Sequence, residues 1–354
     1  MPIYTRSFDR RKEEIKKQLL EAAEVTGFFT LVDHGITIDE IEAQFRAAEN
    51  FFTLPAKVKD KVRHDPRTNN GWEYKAQLRP STGAYDQKES LWLMRNSQWP
   101  SNQDVPNFRG TTTRFMAKCA SISGQVSLGF DEDYLVTAND PTQPDCISQL
   151  RLLHYPAADN ASGTWRAGAH TDIGCLTLLF QRDKQDGLEI CTGRDSHTGF
   201  DVGDSFTPIP AHTGPIVVNI GDMLMAWSDD RLKSNFHRVR AREIGYSPPR
   251  YSIAYFNQAR RGIIVQGPPK EVGISYTLSH GFKDHASLLA VKCLRTRKWA
   301  SKAAKSERGE TLTLPILRRL DMQAVLLSPR DDASEWSAVL PVSSLKLTTA
   351  VDFC

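Results

Sequence analysis

No stretch of this chain is apolar over the roughly 20 positions that a membrane-spanning helix needs. Neither sign of charge dominates: 45 Lys and Arg stand against 42 Asp and Glu, a formal net charge of +3 over 354 residues. That balance gives no reason to expect nucleic acid or an anionic membrane as partner. Cysteine is scarce and scattered. The six thiols, Cys119, Cys146, Cys175, Cys191, Cys293 and Cys354, form no CxxC pair, and zinc-ribbon spacing is absent. They read as reduced, buried small hydrophobes, the state expected of a cytoplasmic protein. The first residues, Met1 to Lys12, are polar and charged and lack the apolar centre of a signal peptide. With 40% apolar and 25% charged residues the chain is neither disordered nor fibrous, and it is long enough for a sizeable core.

Three textures divide the chain. From Phe8 to about Asp65 the pattern is helical, with Ile15, Leu19 and Ala22 or Ala23 recurring at helical spacing on a charged background. Gly27 ends that helix, and residues 28–32 read as a short buried strand. A second helix is expected from Thr37 or Asp39, carrying Ile41, Phe45 and Ala48 on one face, with Pro55 as the break. Residues 71–106 are rich in turn residues, anchored by Trp72, Tyr74, Tyr85 and Trp92, and a helix is expected around 112–128. From Gln149 onward short apolar runs recur at 150–155, 176–181, 188–191, 206–209, 216–220, 224–227, 236–239, 251–256 and 263–265, separated by turn signals. Such a series predicts a double-sheet sandwich or jelly roll rather than βαβ units. The expected regions are 1–110, helical and mixed; 111–270, the jelly-roll core; and 271–354, a helical or irregular extension. The basic stretch 292–308 reads as a solvated helix face, and the tail 312–354, without a clear period, is expected to contribute little to chemistry.

The strongest constellation is His170-Thr171-Asp172 followed by His237. In an extended segment, side chains two apart point to one face, so His170 and Asp172 can converge on one ion. A histidine from a later strand completes two imidazoles and one carboxylate, which leaves three positions of an octahedral ion open, as Fe(II) oxygen chemistry requires. Thirteen residues past His237 comes Arg250-Tyr251-Ser252, in a run that reads as a strand. Arg250 and Ser252 share a face. A guanidinium grips a carboxylate at two points and a neighbouring hydroxyl donates to it, which suits the far end of a dicarboxylic co-substrate.

Jointly, His170-Thr171-Asp172-Ile173-Gly174, Asn219-Ile220-Gly221-Asp222-Met223-Leu224, Ser234-Asn235-Phe236-His237-Arg238-Val239 and Arg250-Tyr251-Ser252 resemble the iron(II)- and 2-oxoglutarate-dependent dioxygenases related to isopenicillin N synthase. Residues 27–36 and 51–55 resemble the N-terminal region of that family, and Lys88-Glu89-Ser90 its mid-chain element. The resemblance spans roughly residues 8–268. It implies a mainly β fold with flanking helices, a distorted double-stranded β-helix or jelly roll. It implies that His170, Asp172 and His237 ligate Fe(II), that Arg250 and Ser252 bind the distal carboxylate of 2-oxoglutarate, and that Tyr155 touches the same co-substrate. Many plant relatives carry an asparagine two positions before that tyrosine; here it is Leu153. The implied activity is oxidation of a small organic metabolite by O2, through hydroxylation, desaturation, ring closure or ring expansion, in specialised metabolism and by a monomer.

Other readings compete. Some members of the same family oxidise without consuming 2-oxoglutarate. A zinc hydrolase on the same three ligands gives Arg250 and Ser252 no role. A non-catalytic jelly-roll binding module would need a decayed metal site, and the three ligands are intact. Nucleic-acid demethylases of the wider superfamily place a second arginine six residues after the first, where this chain has Phe256. His34 reads as structural, in a turn where an imidazole satisfies backbone groups. His64, His154, His197, His212, His280 and His285 are given no ligand role, Asp222 reads as a turn residue, and Trp227 and Phe256 as core aromatics. Pocket-lining residues are expected around 72–92, 191–206 and 257–262, with 193–203 as a lid or hairpin tip.

Overall fold

A computed structural model describes residues 3–79, 83–126, 132–159, 165–195, 205–241, 245–261, 263 and 346–348. Helix α1 (Ile3–Val25) buries Leu19, Ala22 and Ala23 at the predicted spacing. It stops because Gly27 takes φ +66°, and a Cβ there would lie 1.9 Å from the carbonyl oxygen of Lys233. Helix α2 (Ile38–Phe52) starts at a capping box: Glu40 N–H donates to Thr37 Oγ1, and Thr37 N–H donates to the Glu40 carboxylate at 2.9 Å. Its apolar face buries Ile41, Phe45 and Ala48 together with Phe51 and Phe52. The short α3 (Ala56–Lys59) follows Pro55, and α4 (Phe108–Gln125) and α5 (Glu132–Ala138) complete the helical layer before the strand-rich region.

Residues 71–106, read as turn-rich, carry strands. The first part of the chain supplies β1 (Phe28–Val32), β2 (Gly71–Tyr74), the hairpin β3 (Leu78–Arg79) and β4 (Ala84–Tyr85), and β5 (Glu89–Leu93). The second part supplies β6 (Gln149–Tyr155), β7 (Ala158–Asp159), β8 (Trp165–His170), β9 (Leu176–Phe180), β10 (Leu188–Asp195), β11 (Thr207–Pro208), β12 (Ile216–Ile220), β13 (Asn235–Arg240), β14 (Tyr246–Ser247) and β15 (Arg250–Asn257). A last strand, β16 (Lys346–Thr348), pairs with β1, so part of the tail joins the sheet despite its lack of period.

The main sheet runs β16-β1-β12-β9-β15-β6-β5-β2, and β11-β10-β13-β8 form the smaller sheet. Strands β1, β2 and β5 from the first 110 residues thus sit in the same sheet as the later ones. Strict alternation divides the main sheet into two faces. Leu152, Leu178, Phe180, Val218, Ile253 and Tyr255 point to the helices, where Phe115 meets Phe180 at 4.9 Å. Each such side chain contributes about 1.5–3 kcal/mol by leaving water. The opposite face carries Leu153, Tyr155 and Ala254 against Ala167 and Val239 of the smaller sheet. Two antiparallel sheets closed on each other with helices outside one of them make a distorted double-stranded β-helix.

One predicted strand is wrong. Residues 224–227 lie in helix α6 (Asp222–Trp227), because a short apolar run has no period to tell strand from helix and Met-Leu-Met-Ala favours helix. Of the run at 263–265 only Ile263 is described. Residues 196–203 of the stretch read as a lid or hairpin tip, the basic stretch 292–308 and the tail outside 346–348 lie outside the described residues.

Candidate metal and co-substrate site

His170 and His237 face each other directly across the β8–β13 pair, their ring centroids 4.4 Å apart. Asp172 reaches them by another route than strand alternation. Strand β8 ends at His170, and Asp172 lies in the turn beyond it. That turn is stitched to the start of α6: Gly221 N donates to Cys175 O at 2.9 Å, Asp222 N to Asp172 O at 2.7 Å, and Met223 N to Ile173 O at 3.0 Å. A Cβ on Gly221 would stand 2.1 Å from Gly174 O, so the close approach requires glycine.

One ligand atom from each of the three residues lies within 4.8 Å of the others. Asp172 Oδ1 is 3.9 Å from His170 Nε2 and 3.7 Å from His237 Nε2. The far atoms are engaged elsewhere. His170 Nδ1 donates to Gly168 O at 2.7 Å, and His237 Nδ1 to Asn235 O at 3.4 Å, which leaves each Nε2 as the lone-pair donor. Asp172 Oδ2 accepts from Thr177 Oγ1 at 2.6 Å and from Asn219 Nδ2 at 2.9 Å, turning Oδ1 toward the imidazoles. Phe28 of β1 stands edge-on to the His237 ring at 5.6 Å. Burial, with Arg79, His237 and Lys88 nearby, holds His170 well below its usual pKa of 6.5, in the neutral form that a metal takes. Two imidazoles and a carboxylate fit Fe(II) with open positions for other ligands.

Arg250, 1% exposed, opens β15 opposite Tyr155, whose ring it overlies at 5.1 Å. Its Nη1 donates to Ser252 Oγ at 3.1 Å, Nη2 to Gln181 Oε1 at 2.9 Å, and Nε to Gln185 O at 2.8 Å. All three acceptors are neutral. A buried guanidinium whose hydrogen bonds end on neutral acceptors, with the charge of Asp186 nearby, can seat an incoming anion, since a buried charge without a direct ion pair is costly. Arg250 and Ser252 share the inner face, as the strand reading predicts; Leu153 fills the inner position beside Ser252.

Several residues have roles that their motifs did not reveal. His34 accepts from Ile36 N at 3.3 Å and bonds Gly214 O at 2.8 Å, the expected structural work. His154 lies on the helix-facing side, stacked on Tyr251 at 4.6 Å and bonded to Glu89 at 2.7 Å. Asp222 does more than turn the chain: its carboxylate accepts from Ser234 Oγ at 2.8 Å and Thr171 Oγ1 at 3.2 Å, beside both histidine strands. Trp227 is core, whereas Phe256 faces the space between the sheets and stacks on Trp92 at 5.9 Å. Thr177 and Asn219 were missed. Each is a lone polar residue in a buried apolar strand, Leu-Thr-Leu-Leu-Phe and Ile-Val-Val-Asn-Ile, and such a residue must find a partner.

A double-stranded β-helix bearing two histidines, a carboxylate and a buried arginine is the frame of a non-haem iron oxygenase. Residues 146–259 match the 2OG-Fe(II) oxygenase superfamily, and residues 2–112 match the region described as non-haem dioxygenase in morphine synthesis N-terminal. The 2-oxoglutarate-Fe(II) type oxidoreductase ppzD of Metarhizium majus is 31% identical over 290 residues, 70% of this chain and 80% of that protein. The proline hydroxylase buaE of Petromyces alliaceus is 34% identical over 283 residues, 72% of this chain and 85% of that protein. A full-length Neurospora crassa protein, crystallised in complex with alpha-KG, superposes with a TM-score of 0.67 at 29% identity, over 79% of this chain and 90% of that one. The chain belongs to the 2OG-Fe(II) oxygenase superfamily. It is an oxidoreductase that uses Fe(II), 2-oxoglutarate and O2 to oxidise a small organic molecule.

Proposed function

We propose that His170, Asp172 and His237 are the Fe(II) ligands, and that Arg250 with Ser252 holds the distal carboxylate of 2-oxoglutarate while Tyr155 flanks it. One observation carries the metal assignment: Asp172 presents Oδ1 to both Nε2 atoms, at 3.9 and 3.7 Å, while Oδ2 is pinned by Thr177 and Asn219. Fe(II) held by these residues would supply O2 activation, with 2-oxoglutarate converted to succinate and carbon dioxide as the substrate is oxidised. The chain's own residues do the rest. Gly168 and Asn235 carbonyls fix both imidazoles, Arg250 orients the co-substrate, and the apolar cluster of Leu153, Ala167, Val239 and Ala254 excludes water from the space between the sheets.

The substrate proposed is a small molecule of specialised metabolism; the relative buaE is named a proline hydroxylase. Buried free thiols at Cys119 and Cys175 suit the reducing cytoplasm. Anaerobic calorimetry with Fe(II) and then 2-oxoglutarate tests the assignment. His170→Ala, Asp172→Ala and His237→Ala should each lose iron binding and turnover while keeping the far-ultraviolet circular dichroism of the parent. Near-normal iron content in any of them defeats the ligand set.

A further inference from the structure

The inner face of the main sheet carries a second arginine that the metal and co-substrate do not use. Arg151 is the lone charged residue in the strand run Leu-Arg-Leu-Leu of β6, and it is 5% exposed. Its cross-strand neighbours are Trp92 and Ala254, so it shares the face of Leu153, Tyr155 and Arg250. The guanidinium carbon lies 3.8 Å from the centre of the Trp92 ring. Nη2 donates to Glu73 Oε1 at 2.8 Å and Ser90 Oγ at 2.9 Å, whereas Nε is buried with no partner. A desolvated N–H of a cation without an acceptor is rare in folded proteins.

The surrounding charge has the same imbalance. Arg79 and Lys88 share one carboxylate, that of Asp86, with Arg79 Nε at 2.8 Å and Lys88 Nζ also bonded to it. Asp86 Oδ1 is taken by Gly168 N at 3.0 Å, which locks this group beside the strand that delivers His170. Burial, followed by the charges of Arg151 and Arg79, holds Lys88 well below the usual ammonium range, a sign that these cations feel one another. Arg79 and Arg151 thus stand with Lys88 around two carboxylates, Asp86 and Glu73. An anion bound on the wall between His170 and the Trp92–Phe256 stack would favour the charged form of Lys88.

We propose that this wall is the substrate subsite, and that it selects a small acid: the substrate's carboxylate docks on Arg151, within the Arg79–Lys88–Arg151 arc, and its apolar body lies along Trp92 and Phe256. The inference rests on the iron and 2-oxoglutarate reading above, and it gives that reading a substrate class. The unpartnered Nε–H of Arg151 can donate one charge-assisted hydrogen bond to a carboxylate, and an uncharged amide of the same shape brings no charge to these cations.

The test uses the Fe(II)-loaded protein with 2-oxoglutarate under nitrogen, and three acid–amide pairs as probes: L-proline and L-prolinamide, benzoate and benzamide, trans-cinnamate and cinnamamide. Thermal shift and tryptophan fluorescence report binding, and succinate release in air reports productive binding. At least one acid should bind and its amide should not. Arg151→Gln should weaken that acid at least tenfold, with partial recovery in Arg151→Lys, while the 2-oxoglutarate dissociation constant moves less than twofold. Glu73→Gln keeps Arg151 and removes its neutralising partner, so it should tighten the acid. Amides that match their acids, a panel in which no acid binds, or an Arg151→Gln that weakens 2-oxoglutarate as much as the acid would each overturn the proposal. So would unchanged or weaker acid binding in Glu73→Gln. Failure of the parent protein to bind 2-oxoglutarate is read separately and takes down the underlying reading as well.

Discussion

Thr177→Val is the sharpest probe of how the metal centre is built. It preserves the shape of the side chain and deletes the hydroxyl that donates to Asp172 Oδ2 at 2.6 Å. The second donor to that oxygen, Asn219 Nδ2 at 2.9 Å, sits directly opposite Thr177 across the β9–β12 pair. A hydrogen bond to a charged group is worth about 1.5–3 kcal/mol, and every 1.4 kcal/mol is a factor of ten, so metal affinity should fall roughly 10- to 100-fold. Loss of an outer partner of a ligating carboxylate falls in the same range. The assay is anaerobic calorimetric titration with Fe(II), repeated with Co(II), on the parent, Thr177→Val, Asn219→Leu and the double variant. Both bonds end on one oxygen, so their effects should not add. Unchanged metal affinity in folded Thr177→Val and Asn219→Leu would refute the idea that Oδ2 must be held for Oδ1 to bind.

Arg250→Lys keeps the charge and loses the planar fork; the KM for 2-oxoglutarate should rise roughly ten- to hundred-fold with metal affinity unaltered, and an unaltered KM would remove Arg250 from the co-substrate site. Gly221→Ala forces a Cβ to within 2.1 Å of Gly174 O, so it should lower stability by about 1–3 kcal/mol and weaken metal binding by moving the Asp172 turn. A parent-like Tm and metal affinity would show that the turn has room. Glu89 sets the acid limit. Burial pushes its carboxyl up, but hydrogen bonds from His154, Lys59 and Trp72 and the charge of Lys59 outweigh this and leave the folded pKa below 4.5. A depressed carboxylate stabilises above its unfolded pKa and loses that contribution as pH falls through the folded value, so Tm should drop on acidification below about 4.5. Glu89→Gln should blunt that drop; an identical acid profile would acquit Glu89.

The chemistry was more legible than the frame that carries it. His170, Asp172, His237, Arg250 and Ser252 could be read because their spacing is short and their residue types are few. The convergence of His170 and Asp172 was expected from strand alternation, yet a turn held by α6 brings it about. Backbone hydrogen bonds between residues 172–175 and 221–223 leave no trace in residue type except the glycine. Strands β2 and β5 were hidden because Glu73, Glu89 and Ser90 interrupt the apolar pattern. Glu89 and Ser90 are buried and Glu73 half-buried, and both acids are paired, Glu89 with Lys59 at 2.7 Å and Glu73 with Arg151 at 2.8 Å. Gln181 and Gln185 gave no local signal, since amides in a strand end and a loop look like solvent-facing residues. Charge inside a sheet reads as surface until its partner is known.

Strand β1 lies between β12 and β16, and Phe28 is registered against Asn219. Its neighbours in space are therefore among its most distant in sequence. Sheets of such high contact order form slowly, because long loops must close before any pairing repays them. On the ribosome β1 emerges early and waits, edges bare, for residues near 219. The cluster of Phe28, Asn219 and His237 can only be completed at the end of that wait, so the proposed metal site forms late. An ion held there would bind the finished fold and not its precursors, and would stabilise it by mass action.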